Sequence, residues 1–425
     1  MQRARVRLAI VALALLEGAV ACRRADPPIP PPTGDRVVLI GLDAATWTIM
    51  RPLVDSGQMP NMKALIDRGW SGTLLSKEPT FSPIIWTTIA SGRTAEDHGI
   101  LGFLAPTADG QEVPVTSNLR HAETLWTIAS RAGRSVNVIG WYVTWPVEPV
   151  NGIMVADRVG PQREATPIAG GTDSFTAQYP GVYPPSFNDT AMSLVVYPED
   201  FLSPSEQKVH EQFRIYPVDA TRTAIAEEVL ANHPADLTMI YLWGIDPTQH
   251  LFWKFHDPKS WIGPPMDQDE MFLHGDPVVE YYRDTDVFLG RILSHVRETD
   301  TVMIVSDHGA GPATEYDPKH KNSGSHRIEG VIIAAGPPIR HGTAAAPPSI
   351  FDVTPTVLQL LGLPPGRDMP GHVIDAMLKP EWVQQHPEQR IATWEPAERH
   401  GDRYPIATKS DEHIKDKLRA LGYIQ

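Results

Sequence analysis

Residues 36–43 read RVVLIGLD, a short apolar run that ends in Gly41, Leu42 and an aspartate. A continuous apolar segment of this length, closed by glycine, is the pattern of a strand buried on both faces, and such strands belong to parallel sheets covered by helices. The pattern recurs. Residues 237–243, LTMIYLW, lead to Asp246, and residues 301–305, TVMIV, lead to Ser306-Asp307-His308-Gly309. Between these runs lie helical patterns. They cover 60–68 (closed by Gly69), 83–90 (with Ser82 as N-cap and Pro83 at the first position), 124–132 (closed by Gly133), 220–231, 279–296, and 355–361 (stopped by Gly362 and Pro364). Further strands are expected up to Leu75, over 135–139 and over 330–335. Alternating strands and helices predict an α/β fold with a mainly parallel central sheet flanked by helices.

At 425 residues the chain is long enough to bury a sizeable core, and its 42% hydrophobic and 21% charged composition is that of an ordinary globular protein. A formal net charge of −14 argues against a nucleic-acid partner, which selects for a basic face. It leaves an anionic substrate open, because bound cations reverse the local sign. The 41 prolines cluster at 27–32, 180–204, 337–338, 347–348 and 364–365, marking a linker, an irregular insertion and tight turns. The expected organisation is a signal segment over 1–21, a proline-rich linker over 22–35, a main domain over 36–380 and a polar extension over 381–425. The main domain contains an insertion at about 103–219, where periodicity fades. That insertion is either a cap over the active site or a solvated surface loop. The extension shows an amphipathic helix over 412–421 and no chemistry.

At the N-terminus Arg3, Arg5 and Arg7 precede an apolar run over 8–16, too short for the ~20 residues that span a bilayer. Small residues then lead to Cys22, the single cysteine, in a segment that resembles a bacterial lipoprotein signal. The resemblance implies a lipidated Cys22 that anchors the domain to the cell envelope. The outer membrane is the expected address, since no aspartate follows Cys22. A plain secretory signal ending near Ala21 is the alternative. With one cysteine, neither disulfides nor thiolate ligands contribute.

Chemistry gathers at the strand ends, which is where open α/β sheets bind ligands. Asp43 follows one strand, Asp246 and His250 follow another, Asp307 and His308 follow a third, and His326 precedes the 330–335 strand. Three carboxylates and three imidazoles form a donor set suited to divalent metals.

These segments resemble the alkaline phosphatase superfamily, in particular its type I phosphodiesterase/nucleotide pyrophosphatase branch. The resemblance rests on VVLIGLDA, KEPTFSPIIWTTIASGRTAEDHGI, YLWGIDPTQHLFW, VMIVSDHGAG, SGSHRIEGVIIAAGPPI and FDVTPTVLQLLGLPPGRDMPG, which span about 36–375 in the family's order. It implies an alkaline-phosphatase-like fold and two metal sites. Asp246, His250 and His326 would form the first site, and Asp43, Asp307 and His308 the second, with Ser82 Oγ as a further ligand and as the nucleophile. The metal implied is zinc, with manganese as the alternative. The implied substrate is a phosphorylated small molecule or lipid. An ungapped register from His98-Gly99-Ile100 places the nucleophile on Ser82 rather than on Thr80, Thr87 or Thr88. His98 is expected to be structural. His320, Lys321 and Arg327 are expected to form a solvated basic turn.

Ile85 stands where nucleotide pyrophosphatases carry an asparagine, so nucleotide specificity does not follow from the resemblance. The expected reaction is hydrolysis of phosphoric esters through a phosphoryl-Ser82 intermediate, with diesters or pyrophosphates preferred. The second ester group is expected to meet the 83–86 run and Trp141, Tyr142, Tyr179 and Tyr183. A phosphomonoesterase or phosphomutase on the same scaffold is one alternative, and a catalytically silent metal-binding lipoprotein is another. A Ser-His-Asp esterase is disfavoured because no Gly-x-Ser-x-Gly elbow is present. A sulfatase is disfavoured because no Cys/Ser-x-Pro-x-Arg motif is present.

Overall fold

Residues 37–42 form β1 (Val37–Leu42), buried at every position. It occupies an interior slot of the main sheet, where an all-apolar strand is required. A computed structural model describes residues 29, 35–161, 178–198, 215–267, 271, 275–318, 322–396 and 401–424. Cys22, His320 and Lys321 lie outside the described residues. Among the described residues no helix is long and apolar enough to cross a membrane.

In chain order the remaining strands are β2 (Trp70–Leu75), β3 (Leu104–Pro106), β4 (Glu112–Pro114), β5 (Val136–Ile139), β6 (Gly152–Val155), β7 (Val182–Tyr183), β8 (Leu237–Leu242), β9 (Thr301–Val305), β10 (Gly309–Pro312), β11 (Gly324–Arg327), β12 (Glu329–Ala335) and β13 (Gly342–Thr343). Among the described residues nine of them form one sheet in the order β13-β2-β12-β9-β1-β8-β5-β6-β7. The centre is parallel: β1 pairs with β8 and β9, and β5 pairs with β8 and β6. β12 runs antiparallel to β2 and β9, and β7 antiparallel to β6. The mainly parallel sheet expected from the sequence is therefore present, with antiparallel strands toward both edges. Two small ribbons, β3–β4 and β10–β11, lie outside it.

The longer helices are α1 (Trp47–Asp55), α2 (Pro60–Arg68), α3 (Ser82–Ser91), α4 (Leu125–Arg131), α5 (Tyr216–Asn232), α6 (Ile245–His256), α7 (Pro277–Leu293), α8 (Val353–Leu360) and α9 (Asp411–Ala420). They bury the two faces of the sheet in separate apolar clusters. Ile40, Leu42, Ile240 and Ile304 pack with residues of α1, α2, α5, α6 and α7. Leu39, Met239, Met303 and Val305 pack with residues of α3, α4 and α8. Alternate residues of one strand thus serve opposite layers, as strand geometry dictates.

The stretch at 103–219 is more than a cap or a loop: it supplies β5, β6 and β7 to the sheet. The C-terminal residues 401–424 lie back on the domain. Asp402 N donates to Asn118 O (2.6 Å), Ile406 N to Thr116 Oγ1 (3.1 Å), and Tyr423 stacks on Phe103.

Candidate active site

The topology places each expected residue at one end of the parallel strands. Asp43 extends β1, its amide donating to Leu242 O at 3.0 Å. Asp246 and His250 lie one turn apart on α6, just after β8. Asp307 and His308 follow β9, and His326 comes back on β11, paired with Ala310 of β10. This β10–β11 ribbon was not foreseen from the sequence, although it delivers His326. Gly324 lets the ribbon press against α6, for a Cβ there would fall 2.3 Å from Gln249 O.

The donor atoms converge in two overlapping groups. Asp246 Oδ1 is 3.4 Å from both His250 Nε2 and His326 Nε2, and those two nitrogens are 2.8 Å apart. His308 Nε2 is 3.3 Å from Asp307 Oδ2 and 3.6 Å from Asp43 Oδ1. The His308 and His326 rings stack at 3.8 Å, joining the groups. Asp246, His308 and His326 form one set with metal-ligand spacing, and Asp43, Asp307 and His308 form another.

Four of the six candidate ligands are oriented by a hydrogen bond on the outer atom, whereas His250 Nδ1 and both Asp246 oxygens have none. His326 Nδ1 donates to Thr80 O (2.8 Å) and His308 Nδ1 to Gly309 O (3.0 Å), which frees both Nε2 atoms to ligate. Tyr241 OH donates to Asp43 Oδ2, and Ala44 N donates to Asp307 Oδ1 (3.2 Å). Ala44 adopts a left-handed φ of 57° to do so, a conformation that costs a non-glycine residue about 1 kcal/mol and is typical of functional turns.

The electrostatics suit a cation. Asp43 Oδ1, both oxygens of Asp246, Asp307 Oδ2 and His308 Nε2 are buried without a hydrogen-bond partner. Burial, then the charge of Asp246, pushes the Asp43 carboxyl up to about 7. Burial and the charge of Asp43 hold Asp307 well above the usual carboxylate range. Burial raises Asp246 too, but His250 and His326 outweigh it and hold this group low. Burial, reinforced by His326, keeps His308 well below the ordinary imidazole value, and so neutral. Three buried carboxylates this close repel one another unless protons or a cation lie among them. The residues present fit divalent metal ions.

Ser82 is the first residue of α3 and is buried (2% exposed). Phe81 takes the N-cap position expected for Ser82. The amides of Ile84 and Ile85 both donate to Phe81 O, and Pro83 has no N–H, so the Ser82 amide is the first-turn donor these bonds leave over. The rival hydroxyls are engaged. Thr80 Oγ1 meets His326 Nδ1 (3.3 Å), Thr87 Oγ1 donates to Pro83 O (2.7 Å) and Thr88 Oγ1 meets His98 Nε2 (3.1 Å). The contacts of Thr80 with His326 tie the segment that leads into Ser82 to the cluster of candidate donors. Gly41 lets α3 approach β1, since a Cβ there would fall 2.7 Å from the Trp86 ring.

Several expected substrate contacts belong instead to the core. Ile84, Ile85, Trp86 and Trp141 are buried, Trp141 N–H donates to Trp86 O (3.2 Å), and Tyr179 and Tyr183 pack against the core clusters. Of the four aromatics singled out in the insertion, Tyr142 lines the cavity of about 160 Å³ beside the site, with Phe103, Tyr241, Trp243 and Tyr423. Arg327 donates to Pro312 O (2.6 Å) and His326 O (2.7 Å), pinning the ribbon. His98 is structural: Ile100 N donates to its Nδ1 (3.2 Å), and burial pushes it down to about 3.

A family model, type I phosphodiesterase / nucleotide pyrophosphatase, matches residues 37–348. Arylsulfatase K of Danio rerio is 31% identical over 127 residues, 28% of this chain and 23% of that protein, so the chain spans about a quarter of the length of the curated relative it matches. Among solved structures, murine ectonucleotide pyrophosphatase / phosphodiesterase 5 superposes with a TM-score of 0.50 at 13% identity, covering 81% of this chain and 100% of that one. The human protein of the same name superposes at 0.48 and 15% identity, covering 83% of this chain and 99% of that one. At such identity the murine structure bears on the fold alone. The chain belongs to the type I phosphodiesterase / nucleotide pyrophosphatase family.

Proposed function

We propose that the protein hydrolyses phosphodiesters or pyrophosphate-linked substrates, with Ser82 as nucleophile and two divalent cations, zinc foremost, held by Asp43, Asp246, His250, Asp307, His308 and His326. The observation that carries this is the set of buried donor atoms, unpartnered and aimed at one another, beside the first turn of α3. Bound there, the cations supply the acidity that makes a serine hydroxyl nucleophilic at neutral pH and offset charge on the oxygens of an in-line displacement.

The protein's own groups do the rest. Ser82 Oγ gives up its proton to solvent and attacks phosphorus, the bond to the departing ester oxygen breaks, and that oxygen takes a proton from solvent and leaves as an alcohol or phosphate. Water then cleaves the Ser82–phosphorus ester, returning the proton to Oγ. The Ser82 amide at the helix start offers a donor to a phosphoryl oxygen. With cations (+4), three carboxylates (−3) and one alkoxide (−1), the formal charge of the centre is zero, so it does not repel an anion.

The diester preference is supported by the aromatic wall of the cavity next to the centre, formed by Phe103, Tyr142, Tyr241, Trp243 and Tyr423, which suits a second ester group, although Arg158, Arg222 and Lys417 also line that cavity. The substrate itself is a phosphorylated small molecule or lipid, and a lipid anchor on Cys22 would hold the domain at the cell envelope. The test is the ratio of kcat/KM for matched aryl diester and aryl monoester substrates under identical metal loading. A ratio above one is expected. A ratio favouring the monoester moves the function to phosphatase or phosphomutase.

A further inference from the structure

The polar C-terminal extension, which carries no recognisable motif, brings an aromatic side chain to the metal-ligand histidines. After α9 the chain turns at Gly422, whose φ of 73° suits glycine, and Tyr423 N closes the turn on Leu418 O (2.9 Å). The Tyr423 ring stacks on Phe103 (4.7 Å, 11°), crosses the His250 ring at 86° (5.1 Å) and lies 6.0 Å from His326. The segment is held in place from three sides. Asn322 Nδ2 donates to Leu421 O, Asp411 Oδ1 lies 3.9 Å from Arg158 Nη1, and Leu418 is buried.

Two further observations give this placement a ligand. Tyr423, Leu418 and Leu421 line the cavity of about 160 Å³ together with Tyr142 and Tyr241, and Tyr241 is the side chain that donates to Asp43. The Tyr423 hydroxyl is buried with no hydrogen-bond partner among the described residues. A buried phenol without a partner is costly, and phenylalanine would fill the same volume without that cost.

We propose that Tyr423 is a substrate-binding residue: its ring forms one wall of the pocket for the second ester group, and its hydroxyl donates to an oxygen of the phosphodiester. The proposal rests on the phosphodiesterase function and assigns that function's specificity in part to the C-terminal segment. The hydroxyl acts on binding, and the ring acts on the choice of ester group.

The test uses the full-length, metal-loaded protein, its Tyr423→Phe and Tyr423→Ala variants, and methyl(phenyl)phosphinate, both of whose substituents are held by P–C bonds, as a non-hydrolysable probe read by calorimetry. Tyr423→Phe is expected to weaken probe binding and raise KM for an aryl methyl phosphodiester by about tenfold or more, the usual effect of one hydrogen bond to a charged group. kcat should change less, and metal content should not change. Tyr423→Ala is expected to weaken the phenyl-bearing probe further than dimethyl phosphate. Binding within twofold of wild type in both variants overturns the proposal. So does a rise in kcat/KM for Tyr423→Ala, which would show that the segment obstructs the site. A wild-type protein that binds no metal or cleaves no phosphorus ester refutes the functional reading as well, whereas full activity in both variants refutes the role of Tyr423 alone.

Discussion

Asp43→Asn separates a site built for cations from one built for hydrogen bonds, because its effect should change sign with metal. In the metal-free protein burial lifts the Asp43 carboxyl from 3.8 to about 7. An acid whose folded value lies above its unfolded one costs stability fully above pH 7 and costs nothing below 3.8. At ~1.4 kcal/mol per pH unit that penalty is about 4 kcal/mol at pH 8. Asparagine keeps an acceptor for Tyr241 OH but places an N–H2 at Oδ1, which has no hydrogen-bond partner and lies 3.6 Å from His308 Nε2. An unsatisfied amide returns ~1–3 kcal/mol of the gain. The variant should therefore be more stable than wild type by ~1–3 kcal/mol at pH 8 in chelator, from about 4 less that cost. The gain should shrink as pH falls toward 4, and with saturating zinc the variant should be the less stable protein. Urea unfolding midpoints at pH 8 and pH 5, with chelator and with zinc, read all of this. A variant less stable than wild type in chelator at pH 8 refutes the reasoning, since the carboxylate would then be serving the apo fold.

Ser82→Ala should abolish turnover while retaining metal and fold, whereas Thr80→Ala, which keeps the carbonyl that holds His326, should lose less than ~tenfold; the reverse ranking in steady-state kinetics would move the nucleophile. His98, pushed from 6.5 down to about 3, adds stability that is complete above pH 6.5 and is lost at up to ~1.4 kcal/mol per pH unit as pH falls toward 3. Thermal melts of His98→Gln should therefore lose less stability between pH 6.5 and pH 5 than wild type, and parallel acid limbs would exclude this. Cys22→Ser should shift the expressed protein from the membrane fraction to the soluble fraction, and an unchanged distribution would rule out a lipid anchor at that residue.

Sequence legibility followed the range of the interactions. β1, β8 and β9 were plain in the sequence because interior parallel strands must be apolar throughout, and Asp43, Asp246 and Asp307 were plain because parallel strands present their ends together. β7, with two residues, and β10 and β11, with four each, carry no period to detect. Trp86 and Trp141 were misplaced because an aromatic near a nucleophile reads the same whether it faces substrate or core. Their edge-to-face packing at 5.0 Å is settled by residues 55 apart in sequence. Tyr423 had no local signal at all. Its place beside His250 depends on α9 docking against β4, Arg158 and Asn322, contacts that only tertiary structure makes.

The central claim is that the six Asp and His side chains hold the cations on which phosphorus-ester cleavage depends. Its most direct measurement is the initial rate of aryl phosphodiester hydrolysis by protein whose metal content is determined on the same sample, from chelator-stripped to fully reloaded with zinc. The rate should be nil in stripped protein and rise with occupancy up to two ions per chain, and Asp246→Ala and His308→Ala should neither fill nor turn over. Undiminished hydrolysis by metal-free protein, or full occupancy in both variants, would contradict the account.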